Sequence, residues 1–214
     1  MLISHRYRCI LSHIPKCAGT SMKSALDLDF IVPPYWHCTW KEACEVLGED
    51  IMQGYFKFAF VRDPWDRVIS AWKMFEQKPW CRQEVPTLRE FLEIVTDGSI
   101  GYRATHRTNE ELDVWQHSTE NIRHHTLPCL HPYYGMVDDD GRIKVNFVGR
   151  YEELGRDFQT VCEHLGFSGL TLPIENPTEH RHYSRYYDNE CVEIVHRYYG
   201  DDIVCFQYQF DRKS

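Results

Sequence analysis

The stretch YRCILSHIPKCAGTS, residues 7–21, sets the expected fold at the start of the chain. Residues 7–14 are largely apolar and stop at a proline, which is typical of a buried strand. Residues 19–28 carry apolar side chains at helical spacing and predict a helix that begins at Gly19. The heptapeptide PKCAGTS, residues 15–21, connects the two. The opening unit is therefore predicted to be a strand, a loop and a helix.

A second strand and helix follow at residues 55–72. Residues 55–61 are aromatic and β-branched, as in a strand, and Asp63 with Pro64 then supplies an N-cap and a preset first helical residue. Two further helices are predicted where a threonine is followed three positions later by a glutamate, the pattern of a capping box. These pairs are Thr39 with Glu42, for a helix that ends near Gly48, and Thr87 with Glu90.

The rest of the chain continues the alternation of strands and helices. Residues 143–148 predict a strand, residues 152–165 a helix closed by Gly166, and residues 189–199 another helix. This order indicates an α/β fold with a mainly parallel central sheet flanked by helices and a P-loop-like strand-loop-helix. We expect one domain, 1–214. Residues 100–141 show little periodicity and are interpreted as a loop-rich insertion.

Composition limits the class of protein. The chain has 214 residues, 43% of them hydrophobic, which is enough for a substantial core. A net charge of -8 argues against a general nucleic-acid or anionic-membrane binder. The apolar run near residues 9–14 is too short to span a bilayer and no signal-peptide pattern precedes it, so the chain is expected to be cytoplasmic, with the Golgi lumen as the alternative. The nine cysteines show no zinc-like spacing and are expected to be mostly reduced and buried.

The loop at residues 15–21 has the chemistry of an anion site. Gly19 permits a close backbone approach, Thr20 and Ser21 add hydroxyl donors, and Lys16 adds a mobile positive charge. The loop is not a Walker A motif, because its lysine precedes the glycine instead of following it. The alternative is an ordinary turn between a strand and a helix with an exposed lysine.

The stretch FVRDPWDRVISAW, residues 60–72, offers a second anion site. Arg62 stands at the carboxyl end of a predicted strand and Ser70 lies two turns into the next helix, where open α/β sheets bind ligands. A guanidinium can grip a phosphate with two parallel hydrogen bonds. The alternative is that Arg62 pairs with a neighbouring carboxylate such as Asp63. Arg67 is predicted to lie on a solvated face.

Together, PKCAGTS and FVRDPWDRVISAW resemble the paired 5′- and 3′-phosphate motifs of the sulfotransferases that use 3′-phosphoadenosine 5′-phosphosulfate (PAPS). Residues 145–154 (VNFVGRYEEL) and 180–210 are similar to the carbohydrate sulfotransferase branch, which includes heparan sulfate 2-O-sulfotransferase. By this resemblance Lys16 contacts the oxygen that bridges phosphate and sulfate, and Arg62 with Ser70 binds the 3′-phosphate. Arg181 belongs to a segment that helps to close over the nucleotide. The implied cofactor loop consists of Pro15, Lys16, Cys17, Ala18, Gly19, Thr20 and Ser21.

The segment YWHCTWKEACEVLG, residues 35–48, resembles the part of the 2-O-sulfotransferase group that carries the catalytic histidine, and His37 matches it. A neutral imidazole can accept a hydroxyl proton near physiological pH. That group has a second histidine where this chain has Tyr35. The alternatives are that His37 is structural or that Glu42 or Glu45 is the base.

The resemblance implies an O-sulfotransferase that moves a sulfuryl group from PAPS to a hydroxylated acceptor, a carbohydrate or small molecule, and releases PAP. A P-loop-type kinase and a non-catalytic module that binds PAP or sulfated glycans are the alternatives. No metal is predicted, because no carboxylate or cysteine supports the histidines at a metal-site spacing. Those histidines are His124, His125, His131, His180 and His182.

Overall fold

The computed structural model describes residues 1–31, 37–103, 108–167, 169–173 and 181–213. The chain forms two compact units. The first comprises Met1–Arg62 and Cys129–Pro177, and the second comprises Asp63–Pro128 and Thr178–Ser214. The assignment of the whole chain to one domain stays a prediction.

The first unit contains a five-stranded sheet with the order β3-β1-β2-β4-β5. Its strands are β1 Leu2–Ser4, β2 Cys9–Ser12, β3 Asp29–Phe30, β4 Phe56–Val61 and β5 Phe147–Arg150. The strand β4 pairs in parallel with β2 and β5, whereas β1 pairs antiparallel with β2 and β3. The α/β class is confirmed, but the sheet is mixed instead of mainly parallel. Four turn residues between β1 and β2 reverse the chain directly, without the long crossover that a parallel pair needs.

Eleven α-helices are present among the described residues. In chain order they are α1 Gly19–Ala25, α2 Trp40–Leu47, α3 Glu49–Gly54, α4 Pro64–Glu76, α5 Pro79–Glu84, α6 Leu88–Thr96, α7 Asn109–Gln116, α8 Thr119–Thr126, α9 Leu154–His164, α10 Asn189–Tyr198 and α11 Gly200–Phe206. None of the helices in this part of the chain has an apolar stretch long enough to cross a membrane. All nine cysteines are free thiols, and only Cys205 is exposed.

The two predicted capping boxes are present. In α2 the Thr39 hydroxyl accepts a hydrogen bond from the Glu42 N–H at 3.1 Å, and the Glu42 carboxylate accepts one from the Thr39 N–H at 2.8 Å. The same reciprocal pair, Thr87 with Glu90, starts α6. These bonds satisfy backbone donors that a helix start otherwise leaves without a partner.

Residues 100–141 contain more regular structure than the sequence pattern predicts. The helices α7 and α8 and a 3-10 turn at Pro132–Tyr134 lie within this range, so its interpretation as a loop-rich insertion is wrong. Helix α7 begins with a capping box between Thr108 and Glu111, the signal that identifies α2 and α6. The helices were missed because they are short and polar, which leaves little apolar periodicity to detect.

The strand predicted at residues 143–148 begins later, at Phe147. The preceding N–H groups bond elsewhere, that of Lys144 to the Met136 carbonyl and that of Asn146 to the Lys57 carbonyl. The predicted helix that follows is confirmed as α9, and Gly166 lies just beyond its end with a φ of 80°. Helix α10 is confirmed as well.

In the second unit, α4 is anchored at its first turn. The Asp63 carboxylate accepts hydrogen bonds from the N–H groups of Trp65 at 2.9 Å and Asp66 at 3.2 Å, as the predicted N-cap requires. Trp65 is buried, and its indole N–H donates to the Val192 carbonyl in α10. The Tyr187 hydroxyl donates to the Trp65 carbonyl at 2.9 Å.

Arg67 does not lie on a solvated face as predicted, because it is 1% exposed. Its guanidinium donates to the Leu127 carbonyl at 2.5 Å and lies 5.3 Å from the centre of the Tyr199 ring. The Tyr199 hydroxyl donates to the adjacent Thr126 carbonyl. Arg67 thus supports the carboxyl end of α8, where free carbonyl groups need donors.

We expect the substitution Arg67→Met to lower the free energy of unfolding by about 2 kcal/mol, because it leaves the buried Leu127 carbonyl without this donor. Urea denaturation measures the change. Arg82→Met is the matched control, since Arg82 is an exposed arginine of α5 in the same unit. Equal stability of the Arg67 variant and the wild type would contradict the structural role.

Candidate functional site

The loop between β2 and α1, residues 13–18, is the centre of the candidate site. Two of its residues, Lys16 and Ala18, adopt left-handed backbone conformations with φ values of 68° and 62°. Such conformations cost about 1 kcal/mol or more in residues other than glycine and cluster at functional sites. Ala18 is the N-cap of α1 and gives it no side-chain cap. The loop therefore presents the uncapped N–H groups of the first helical turn.

His13 is the first residue after β2 and fixes the loop against α1. A Cβ added at Gly19 would lie only 1.9 Å from Cδ2 of the His13 ring, so the ring packs directly on the glycine backbone. His13 is 9% exposed. Its place in the site was not predicted, because its contacts are tertiary and leave no mark on local periodicity. The only local signal is its position at the carboxyl end of a strand.

Arg62 is the first residue after β4 and reaches the same loop. Its Nη1 donates to the Lys16 carbonyl at 3.1 Å, and its guanidinium carbon lies 4.0 Å from the centre of the Tyr151 ring. Tyr151 itself is the first residue after β5. The contact of Tyr151 was not predicted from the sequence either. The structure thus brings Arg62 and Lys16 together, as the two motifs predict.

The side chain of Lys16 is half-buried beside Arg62. Burial, followed by repulsion from the Arg62 guanidinium, lowers the pKa of the Lys16 ammonium to about 8. Two cations held close together in a partly dry site repel each other, and an anion bound between them relieves that repulsion. The loop therefore favours a multiply charged anion such as a phosphate group.

His37 is 5% exposed and is held by the same loop. Its Nδ1 lies 2.9 Å from the His13 carbonyl oxygen, which can only accept, so Nδ1 carries a proton and donates it. In the neutral ring the lone pair is then on Nε2. The His37 ring lies 4.9 Å from the His13 ring and 5.1 Å from the Tyr134 ring, measured between centres. This arrangement prepares Nε2 to accept a proton.

The other candidate bases have different positions. The Glu42 carboxylate accepts hydrogen bonds from Thr39 in the capping box of α2, and Glu45 is exposed on that helix. Tyr35, which stands where the resembling group has a second histidine, lies outside the described residues. Of the other residues predicted to bind the cofactor, Cys17 in the loop and Ser21 in α1 are buried, and Thr20 in α1 is half-buried.

Ser70 and Arg181 belong to the second unit. Ser70 is 2% exposed within α4, and Arg181 is exposed with its backbone N–H bonded to the Tyr186 hydroxyl at 3.2 Å. Their assignments to the cofactor stay predictions.

Two of the histidines considered as metal ligands, His124 and His125, have structural partners. Nδ1 of His124 lies 2.9 Å from the Tyr102 carbonyl, and Nδ1 of His125 lies 2.9 Å from the carbonyl of Asn121 in its own helix. Within the ranges that the structure describes, no three side chains of metal-binding type come together. His180 lies outside those ranges.

A family model described as "Sulfotransferase family" matches residues 1–209 of the chain. Carbohydrate sulfotransferase 14 of Mus musculus is 26% identical over 189 residues, which cover 76% of this chain and 46% of that protein. The chain thus spans about half the length of this relative. No solved structure is significantly similar to the chain.

We expect Gly19→Ala to destabilise the first unit by about 1–3 kcal/mol, because the added methyl group collides with the His13 ring. Chemical denaturation measures the effect. Gly155→Ala in α9 is the matched control, since a Cβ there meets nothing within 4 Å and alanine favours a helix. A Gly19 variant as stable as the Gly155 variant would show that His13 does not pack as described.

Proposed function

The chain belongs to the sulfotransferase family, whose model covers residues 1–209, and on this premise we propose that it transfers a sulfuryl group from PAPS to a hydroxyl group of a carbohydrate. Membership of the family supports sulfotransferase activity. The donor, the acceptor class and the role of each residue are parts of the proposal.

The observation that carries the proposal is the convergence of three side chains on one loop. Lys16 lies in the loop, Arg62 donates to the Lys16 carbonyl, and His37 donates to the His13 carbonyl. Direct sulfuryl transfer needs cations that bind phosphate and a base that accepts a proton. Lys16 and Arg62 are such cations, and the His37 imidazole can accept a proton at Nε2. Arg62 follows the carboxyl end of β4, Lys16 lies in the loop that follows β2, and His37 is hydrogen-bonded to that loop. This edge of an open α/β sheet is its usual ligand site.

For the donor, we assign the 5′-phosphosulfate to residues 15–21 and the 3′-phosphate to Arg62, with Ser70 and Arg181 as further contacts implied by the resemblance. The residues present fit such a ligand, because the Lys16 and Arg62 cations repel each other and a polyanion bound to both relieves that repulsion. The buried guanidinium of Arg62 offers paired donors to a phosphate. The P-loop-like character of the strand, loop and helix is part of the same assignment.

For the chemistry, Nε2 of His37 accepts the proton of the acceptor hydroxyl while the oxygen attacks sulfur. The bond between sulfur and the bridging phosphate oxygen breaks, and its electron pair stays on that oxygen. Lys16 stabilises the negative charge that develops there, and this charge is greatest in the transition state. The products are the sulfate ester and PAP, and no covalent enzyme intermediate forms. Positioning and charge supply the catalysis, as in phosphoryl transfer.

A carbohydrate is the acceptor class supported by the comparisons. The name of the mouse relative describes a carbohydrate sulfotransferase, and residues 145–154 and 180–210 resemble that branch of the family. The test incubates the purified chain with PAPS labelled in its sulfur and a panel of oligosaccharides, glycolipids and simple alcohols, with ATP as a separate donor arm. We expect label in the saccharides and none from ATP. Transfer of phosphate from ATP, or no transfer to any saccharide, would refute the proposal.

The base is tested by comparing two substitutions of His37. The amide nitrogen of His37→Asn can still donate to the His13 carbonyl, whereas His37→Ala removes that bond, and both lack a base at the position of Nε2. We expect both variants to lose about 100-fold or more of kcat and to keep their affinity for PAP. Single-turnover transfer and calorimetry with PAP measure the two quantities. Wild-type kcat in His37→Asn would make His37 a structural residue.

The role of Lys16 predicts how PAP binding depends on pH. Below its pKa of about 8 the ammonium is charged and attracts the phosphate, and as the pH rises through that value the attraction is lost. Above pH 8 we expect the association constant for PAP to fall by up to about tenfold per pH unit. Lys16→Arg is the control, because arginine stays charged throughout this range. Calorimetry from pH 7 to pH 10 distinguishes the two, and a flat wild-type profile would remove Lys16 from the phosphate site.

A further inference from the structure

A pocket of about 420 Å³ lies in the first unit, at the amino-terminal ends of β2 and β4. Its volume is within the range of about 300–1,000 Å³ that is usual for ligand pockets. Lys16 and Arg62 follow the carboxyl ends of the same two strands. The pocket is therefore at the edge of the sheet opposite the candidate site, and the proposed transfer reaction does not use it.

One side of the pocket is the turn between β1 and β2, with the sequence HRYR at residues 5–8. The Arg6 guanidinium lies 4.9 Å from the centre of the Tyr7 ring, and that of Arg8 lies 5.6 Å from the Tyr55 ring. Within the described part of the chain, neither guanidinium forms a hydrogen bond or an ion pair. This local positive charge stands out on a chain whose net charge is -8. Arg8 lines the pocket and offers it a planar set of donors for an anion, and Arg6 adds charge in the same turn.

The backbone holds this turn in a defined place. Arg8 has a φ of 51°, a left-handed conformation that is unfavourable for a residue with a side chain. Its carbonyl accepts a hydrogen bond from the N–H of Phe56, the first residue of β4, at 2.9 Å. The Tyr55 hydroxyl and Nδ1 of the turn residue His5 are 2.9 Å apart. The turn is thus pinned to β4, and the position of Arg8 over Tyr55 is preorganised.

The walls of the pocket are aromatic. Tyr7 packs edge-on against Phe167 at 4.6 Å between ring centres, and Phe56 stacks on His164 at 3.9 Å. Tyr7, Tyr55 and Phe56 are each half-buried, so their rings are fixed while part of each ring remains accessible. Half-buried tyrosine and phenylalanine rings offer flat apolar surface next to polar edges.

Two amide side chains add hydrogen-bonding groups to the lining. Gln53 donates through Nε2 to the Glu49 carboxylate at 2.6 Å, which leaves its carbonyl oxygen as an acceptor. Asn146 accepts from the Lys57 N–H at 2.9 Å through Oδ1, which leaves its amide N–H groups as donors. The pocket therefore offers both donors and acceptors to a ligand with several hydroxyl groups.

We propose that this pocket is a second saccharide site that binds an anionic sugar unit, sulfated or carboxylated, of a glycan chain. The guanidinium of Arg8 matches the paired oxygens of a sulfate or carboxylate, and the aromatic walls with Gln53 and Asn146 match the ring and hydroxyls of the sugar. The pocket goes beyond the proposed transfer reaction, although the choice of a glycan as the ligand rests on that proposed function.

The test measures binding to the full chain by calorimetry, with PAP present to fill the donor site. The probes are maltotetraose, sulfated maltotetraose, tetragalacturonate and inorganic sulfate. The first two share one sugar backbone and differ only in their sulfate groups, and the last carries the charge without the sugar. We expect sulfated maltotetraose and tetragalacturonate to bind, and maltotetraose and inorganic sulfate to bind at least about tenfold more weakly, a difference of about 1.4 kcal/mol.

The site of binding is tested with Arg8→Gln, which removes the charge and keeps a long polar side chain. Arg142→Gln is the matched control, because Arg142 is an exposed arginine of the same unit outside the pocket. We expect Arg8→Gln to weaken binding of both anionic probes about tenfold and the control to leave it within twofold. If Arg8→Gln does not give the wild-type circular dichroism spectrum, Arg8→Asn takes its place with the same expectation, because asparagine tolerates the left-handed backbone at this position.

Three outcomes would overturn the proposal: equal affinity of the Arg8 variant and the wild type, equal affinity for charged and neutral maltotetraose, or inorganic sulfate binding as tightly as sulfated maltotetraose. Calorimetry with PAP alone separates this proposal from the proposed function. A chain that binds PAP but shows no effect of Arg8 refutes the second site only, and a chain that binds the glycans through Arg8 but does not bind PAP refutes the donor assignment only.

Discussion

The parallel pairing of β4 with its neighbours β2 and β5 is the constraint on which the candidate site depends. Parallel strands end at the same edge of a sheet, so the residues that follow them meet although they are far apart in sequence. His13, Arg62 and Tyr151 each come first after one of these strands. Side chains alternate between the two faces of a strand. If one of these strands shifted its register by one residue, its side chains would point to the other face of the sheet. The ladder therefore determines which side chains share the site.

Within that frame, backbone carbonyls of a single loop hold the chemistry in place. The His13 carbonyl accepts a hydrogen bond from Nδ1 of His37 and so keeps the proton on that nitrogen. The Lys16 carbonyl accepts a hydrogen bond from the Arg62 guanidinium. Both acceptors are main-chain groups, so their identity does not depend on the side chains of the loop. The loop uses left-handed conformations at Lys16 and Ala18 to reach this arrangement. Local strain is thus offset by bonds that join three segments of the first unit.

The sequence was most informative where local chemistry determines structure. The capping boxes at Thr39 and Thr87 locate α2 and α6, and the same signal at Thr108 was available for α7. Tertiary burial was not predictable. Arg67 looks solvated beside Arg62 and Asp66 in the sequence, yet its partner is a carbonyl at the end of α8. The contacts of His13 with Gly19 are of the same kind, since no periodicity encodes them.

The net charge describes the whole chain and says little about its parts. A charge of -8 disfavours a broad polyanion-binding surface, yet cations gather at both ends of the strands β2 and β4. At the carboxyl ends the half-buried Lys16 lies beside the buried Arg62, and burial, followed by repulsion from the guanidinium, lowers the pKa of the lysine. At the amino ends Arg6 and Arg8 lie over tyrosine rings and are exposed. Two cations in a partly buried site gain most from a compact, fully charged anion, whereas exposed guanidinium groups on aromatic faces favour a larger ligand with apolar surface. The two ends of one strand pair are therefore suited to different anions, the carboxyl ends to the phosphosulfate of the proposed donor and the amino ends to the anionic sugar of the proposed second site.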